Sequence, residues 1–99
     1  MIIGRFRVQC RPDRVDAMAA AIAAVVEPSR QLAGVVHFDA ARSLTDPNTF
    51  VVLEVFEDRA ALDRQEAQEQ VAQVMQLIDA GALVNDLEWS VWETSPSSA

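Results

Sequence analysis

Two kinds of hydrophobic spacing alternate along this chain, and their order limits the folds that it can adopt. Over residues 1–10 the apolar side chains fall on every second position, with Ile2 and Phe6 on one side and Arg5 and Arg7 on the other. A period of two is typical of a β-strand with one buried face. The chain is therefore expected to begin with a strand that covers a core.

The next segment has helical spacing, with apolar residues three or four positions apart over residues 15–26. Asp13 precedes it and is a candidate N-cap. Pro28 predicts a kink or a tightened last turn. We expect this helix to end near Leu32, before Gly34.

Two strand-like segments, residues 34–43 and 50–56, flank a turn-forming run at residues 45–48, which indicates a β-hairpin. The first strand is expected to place Val36, Phe38 and Ala40 on one face, and Val35, His37 and Asp39 on the other. On the second strand, the side chains of Val52, Glu54 and Phe56 are expected to lie on the same face.

A second helical region is predicted over residues 59–79, with Asp58 as its N-cap and Gly81 after its end. Residues 63–70 are polar except for Ala67. This stretch is therefore either an exposed part of one helix or a break with a restart near Ala67.

The last predicted strand spans residues 83–93 and points Trp89 and Trp92 to opposite faces. The order β-α-β-β-α-β favours an α+β, ferredoxin-like domain over residues 1–94, with an antiparallel sheet and both helices on one face. Residues 95–99 are expected to form a polar tail. Since the other sheet face also carries apolar side chains, two such sheets packed face to face would cover it as a homodimer.

Composition excludes several classes of function. Eight Lys+Arg against 15 Asp+Glu give a net charge of −7, so nucleic acid and anionic membrane are not expected as partners. With one histidine and one cysteine (Cys10), the chain cannot supply the three or four ligands of a zinc site. The N-terminal residues do not read as a signal peptide, and no apolar run is long enough for a membrane span. A cytoplasmic location is expected.

Four segments carry a resemblance to a known family. They are residues 27–30 (EPSR), Gly34 with the apolar strand that contains Phe38, residues 46–50 (DPNTF) and residues 53–62 (LEVFEDRAAL). On these segments and on its element order, the chain resembles the antibiotic biosynthesis monooxygenase family of dimeric α+β barrels. The resemblance extends over residues 2–93.

The resemblance implies a homodimer with a cavity between sheet and helices in each subunit. It also implies oxidation of phenolic or hydroquinone substrates by molecular oxygen, without metal or flavin. In that chemistry the substrate anion reduces oxygen, and the protein supplies a dry cavity, a proton acceptor and hydrogen bonds.

The sequence departs from the family at positions that carry chemistry. Gln65 and Gln70 stand where helix histidines are common, and glutamine cannot act as a base. The haem-degrading branch uses an Asn, a Trp and a His where this chain has Phe6, Gln65 and Met75, so haem degradation is disfavoured.

Glu54 and His37 are the candidate catalytic residues, each as a proton acceptor. A carboxyl inside an apolar strand has a raised pKa if it is unpaired, but Glu54 can equally pair with Arg5 or Arg7 on a neighbouring strand. His37 can equally be a packed residue of the sheet face.

The candidate ligand-binding residues are one amide and four aromatic side chains: Gln65, Phe6, Phe38, Phe56 and Trp89. The aromatics can equally be core or interface residues. Three functions stay open: a cofactor-independent monooxygenase acting on a small phenol, quinol or polyketide-like aromatic, a non-catalytic dimer that binds a small apolar ligand or a partner, and another reaction on the same fold. Whether the protein is an enzyme thus stays open at this point.

Overall fold

The computed structural model describes residues 1–94, and the tail predicted at residues 95–99 lies outside the described part. Residues 1–94 form, in chain order, β1 (Ile2–Gln9), α1 (Val15–Arg30), β2 (Val35–Arg42), β3 (Thr49–Phe56), α2 (Arg59–Glu66), α3 (Glu69–Asp79) and β4 (Glu88–Glu93).

The four strands form one sheet in the order β2-β3-β1-β4, and each neighbouring pair is antiparallel. The sheet face that meets the helices holds the main core, in which Val8 and Phe50 of the sheet pack with Met18 and Ile22 of α1 and Val74 of α3. The prediction of an α+β, ferredoxin-like domain with helices on one face is confirmed.

Helix α1 differs from its prediction at both ends. The helix begins at Val15 behind Arg14, with no side-chain cap, and the predicted cap Asp13 instead pairs with Arg11 at 3.5 Å. It ends at Arg30 rather than near Leu32. The last turn tightens behind Pro28, because the amide of Leu32 donates to the carbonyl of Ser29, three residues back, at 3.2 Å.

Strand β2 contains a β-bulge between Val35 and His37 that changes the predicted faces. Because the bulge adds one residue, Val35 packs against the core and Val36 is exposed. The prediction that Val36 shares a face with Phe38 was therefore wrong. Gly34, just before the strand, has φ +85°, and a Cβ there would lie 2.7 Å from the Cβ of Ala61.

The second helical region is two helices, as one of the two predicted alternatives required. Helix α2 begins behind Asp58, whose side chain accepts a hydrogen bond from the amide of Ala61 at 2.9 Å, so the predicted cap is confirmed. The chain leaves the helix at Ala67 and Gln68 before α3 starts. This break lies next to the cavity described below.

Strand β4 is shorter than predicted, since it starts at Glu88 rather than at residue 83. Leu83 forms only an isolated bridge with Cys10, and the next residues bond to Gln9 instead of continuing a ladder. No helix in residues 1–94 combines the length and the apolar composition that a bilayer crossing requires.

The second face of the sheet is not covered by helices. Leu53 and Trp92 lie on it with 44% and 51% of their surface exposed, and on the same face Ile3 pairs in the register with both Val55 and Trp92. This open sheet face is the surface that the sequence predicts to be covered by a second subunit.

Candidate functional site

A cavity of about 440 Å³ lies between the sheet and the three helices. Ile22 and Val25 of α1 and Val71 and Val74 of α3 contribute aliphatic walls. These side chains line it because the apolar stripes of both helices face the sheet but do not fill the space above its centre. A volume of this size suits a small organic molecule.

Glu54 supplies the carboxyl group of this cavity from the middle of β3. Its register neighbours are Gly4 on β1 and Phe38 on β2, and only 5% of its surface is exposed. Within residues 1–94 its side chain makes no hydrogen bond and no ion pair, and its unpaired oxygens are not fully enclosed. The carboxyl group therefore faces the cavity without a protein partner.

The alternative in which Glu54 pairs with an arginine was wrong. Arg7 bonds to Glu88 on β4 at 2.6 Å, and Arg5 lies opposite Leu53 in the register. Alternation along the strand directs Arg5 and Arg7 to the open sheet face, away from Glu54. The sequence pattern already contained this separation, since both arginines alternate with the core residues of β1.

Burial, and to a smaller extent the nearby negative charge of Glu66, together raise the pKa of Glu54 to about 7. Near neutral pH the carboxyl group therefore exists in both its protonated and its ionised form. A group with such a pKa can accept a proton and return it at the same pH.

Gln65 is also at the cavity and only 4% exposed. Its side-chain amide donates to the hydroxyl of Ser29 at 3.3 Å, and the amide of Gln68 donates to the same hydroxyl at 2.9 Å. The Ser29 hydroxyl of α1 thus accepts hydrogen bonds from both sides of the α2–α3 break. Ser29 is fully buried, and sequence reasoning missed it although it continues the i, i+3, i+4 spacing of the buried face from Val25.

Three of the four predicted aromatic residues line the cavity: Phe6, Phe38 and Trp89. The fourth, Phe56, does not. It is fully buried in a second core cluster with Ala61 and Leu62, because α2 covers that end of β3. The prediction of Phe56 as a ligand-binding residue was therefore wrong.

His37 does not share a site with Glu54. In the register Phe38 faces Glu54 and His37 faces Val55, so alternation directs the histidine to the open sheet face, where it is exposed. The structure thus separates the two predicted proton acceptors, and only Glu54 lies at the cavity.

Glu66 is a cavity residue that sequence reasoning missed. It is the last residue of α2, exposed to solvent at the edge of the cavity next to the break. Its position could not be read from the polar run at residues 63–70, in which every exposed side chain looks alike. Within residues 1–94 no group of three His, Cys, Asp or Glu side chains is placed to hold a metal ion.

Solved structures of other proteins share this architecture. A crystal structure of an antibiotic biosynthesis monooxygenase is 27% identical, matches 97% of this chain and 100% of its own, and has a TM-score of 0.84. Rv0793 of Mycobacterium tuberculosis is 20% identical, with 99% and 98% of the two chains matched and a TM-score of 0.84. PA3566 of Pseudomonas aeruginosa is 22% identical, with 95% and 93% matched and a TM-score of 0.78. The last two identities indicate a shared fold alone.

No curated protein matches the chain. The sequence signature of antibiotic biosynthesis monooxygenases, however, matches residues 1–77, which include β1 to α2, the break and most of α3. It therefore covers Glu54, Gln65 and Glu66 together. On this match the chain belongs to the antibiotic biosynthesis monooxygenase family.

Proposed function

We propose that the protein is a monooxygenase that oxidises a small phenol, quinol or polyketide-like aromatic with molecular oxygen, without metal or flavin. The observation that carries the proposal is the buried Glu54 carboxyl, which faces an apolar cavity with no protein partner. A buried polar group is normally hydrogen-bonded, so a ligand hydroxyl is the natural donor for it.

Glu54 is the proton acceptor in the proposed reaction. It takes the phenolic proton, and the phenolate passes one electron to oxygen. The resulting superoxide and phenoxyl radical combine at an unsubstituted ring carbon, and Glu54 returns the proton to give a hydroperoxide. Loss of water, with the hydrogen of that carbon, leaves a quinone. One oxygen atom enters the product and the other leaves as water, so the four electrons lost by the phenol are those gained by oxygen.

The walls and the amide have supporting roles. The aliphatic residues and Phe6, Phe38 and Trp89 keep water away from the radical pair and pack on the flat ring. Gln65 orients the substrate, because its side chain is at the cavity and is positioned by the Ser29 hydroxyl. His37 has no part in this mechanism, since it lies on the open sheet face.

The test is oxygen uptake by metal-stripped protein with a panel of hydroquinones and polycyclic phenols. We expect uptake above autoxidation, and a loss in Glu54→Gln of about 10²–10⁴-fold in kcat/KM. Glu57→Gln is the matched control, because Glu57 is exposed and lies three residues after Glu54 in the chain. Full activity in Glu54→Gln would remove Glu54 from the mechanism.

The alternative is a non-catalytic dimer that binds a small apolar ligand. One observation favours it: the helix position at the cavity that often carries histidine in the family is Gln65, whose amide cannot act as an acid or a base near neutral pH. Binding of a phenol that raises the melting temperature, with no uptake for any member of the panel, would support this function over the first.

We also propose that the protein is a homodimer joined through the open sheet face, and a cytoplasmic location stays a prediction. The partly exposed Leu53 and Trp92 on that face support the proposal, because apolar surface of this kind favours a second subunit over water. Leu53→Glu should convert a dimer into a monomer in light scattering after gel filtration. Leu44→Glu makes the same change at a fully exposed hairpin residue and should leave the dimer intact. A monomeric wild-type protein would contradict the proposal.

A further inference from the structure

The charged groups at the cavity all have the same sign. Glu54 and Glu66 line it, Gln65 is the remaining polar side chain, and no arginine or histidine of residues 1–94 is among the lining residues. The sequence contains no lysine. A buried carboxylate is normally balanced by a cation, and here the described part of the protein does not provide one.

Two arginines on the helices around the cavity bond to groups outside it. Arg64, two residues before Glu66, donates to the carbonyl of Ala33 at 2.8 Å. Arg30 donates to the carbonyl of Phe38 at 2.9 Å and pairs with Asp39 at 3.4 Å. Neither side chain lines the cavity, so residues 1–94 place no positive charge beside the two glutamates, and a cationic ligand would supply one.

The walls suit such a charge. Phe6, Phe38 and Trp89 line the same cavity as the two carboxyl groups. The faces of aromatic rings attract ammonium groups, most strongly when the site is partly shielded from water. An aromatic wall beside two carboxylates is therefore complementary to an amine that is attached to an apolar body.

We propose that the cavity prefers phenols that carry a protonated amine and rejects phenols that carry a carboxylate. This preference rests on the proposed function, since it names the substrate class of the same cavity. A neutral phenol needs only Glu54 as its hydrogen-bond acceptor. An ammonium group also neutralises the charge of Glu66, whereas a carboxylate adds a third negative charge. The repulsion between the glutamates is already expressed in the raised pKa of Glu54.

The preference is tested by anaerobic calorimetric titration, in which ligands bind and no oxygen chemistry follows. The probes are one naphthol substituted at the same carbon with an aminomethyl, a carboxamide or a carboxylate group. At about pH 8, above the pKa of about 7 of Glu54, the carboxyl is ionised and the amine is protonated. We expect the order amine, amide, carboxylate, with about tenfold or more between the first and the last.

Glu66→Gln identifies the source of the preference without touching the proposed proton acceptor. It should weaken the amine, strengthen the carboxylate and leave the amide unchanged. Glu69→Gln removes the same charge from an exposed residue outside the cavity, and it should keep the wild-type order. Equal or reversed affinities in the wild-type protein would overturn the proposal, and so would an undiminished difference in affinity between the amine and the carboxylate in Glu66→Gln.

Oxygen uptake with the same three probes separates this inference from the proposed reaction. If the binding order holds and no probe supports uptake, the reaction is wrong and the charge preference stands. If all three probes are oxidised and bind equally well, the reaction stands and the preference is wrong.

Discussion

The indole ring of Trp89 lies over the backbone of Gly4, so that a Cβ at residue 4 would be 2.6 Å from Cη2 of the ring. Gly4 is also the register neighbour of Glu54. Because Gly4 has no side chain, the Trp89 ring can lie on the sheet beside the position of Glu54.

Gly4→Ala should displace the ring and lower the free energy of unfolding by about 1–3 kcal/mol through overpacking. In a Trp89→Ala background the same change should cost far less, because the ring it meets is gone. Urea unfolding of the two single variants and the double variant measures the coupling. Additive effects would show that the ring does not restrict residue 4.

The raised pKa of Glu54 makes stability depend on pH. Since its folded pKa of about 7 lies above the ordinary glutamate value of 4.5, the group favours the folded state below about pH 4.5 and loses this contribution as the pH rises through 7. The free energy of unfolding falls by on the order of 3 kcal/mol, because each tenfold difference in proton affinity between the folded and unfolded states is about 1.4 kcal/mol.

The measurement is urea unfolding of wild type and Glu54→Gln from acidic to alkaline pH. The wild-type protein should lose stability relative to the variant between about pH 4.5 and 8. Glu57→Gln, at an exposed residue, should follow the wild-type curve. Parallel curves for wild type and Glu54→Gln would show an ordinary pKa for Glu54.

Glu66 should also control the pH profile of oxygen uptake. With Glu54 as the proton acceptor, kcat/KM should rise as the pH passes through about 7. Glu66→Gln removes the neighbouring charge that raises the pKa of Glu54, so the midpoint should move to lower pH. Glu69→Gln is the control for the loss of one surface charge. An unchanged midpoint in Glu66→Gln would mean that Glu66 does not act on the titrating group.

Ser29→Ala should destabilise the protein by about 1–3 kcal/mol, because it removes a buried acceptor used by Gln65 and Gln68. Hydrogen exchange should accelerate at the α2–α3 break more than in the sheet. Gln73→Ala, at an exposed position of α3, should not affect the break. Uniform acceleration over the whole chain would instead indicate a general loss of stability.

Local pattern was sufficient to predict the fold and one part of the site. Alternation in β1 and β3 predicted the sheet faces correctly and placed Glu54 on the core face, since each residue's direction follows from its neighbours. The same logic failed in β2, because the bulge that exposes Val36 depends on the pairing with β3 and not on β2 itself.

The remainder of the site depends on packing between distant elements. Phe56 and Phe38 are both phenylalanines in predicted strands, and the sequence does not distinguish them. Phe56 is a core residue because α2 covers that end of the sheet, whereas Phe38 lines the cavity. Likewise, Glu66 differs from its polar neighbours because α2 ends there and the break places its side chain at the cavity, which the sequence does not indicate.

The hydroxyl of Ser29 has two donors where one would satisfy it. We therefore expect that Gln65 can turn its amide towards a ligand while Gln68 keeps the buried oxygen bonded. An unsatisfied buried acceptor would otherwise oppose that rotation. Because Gln68 also donates to Ser29, Gln65 can donate a hydrogen bond to a substrate while the buried Ser29 oxygen keeps a partner.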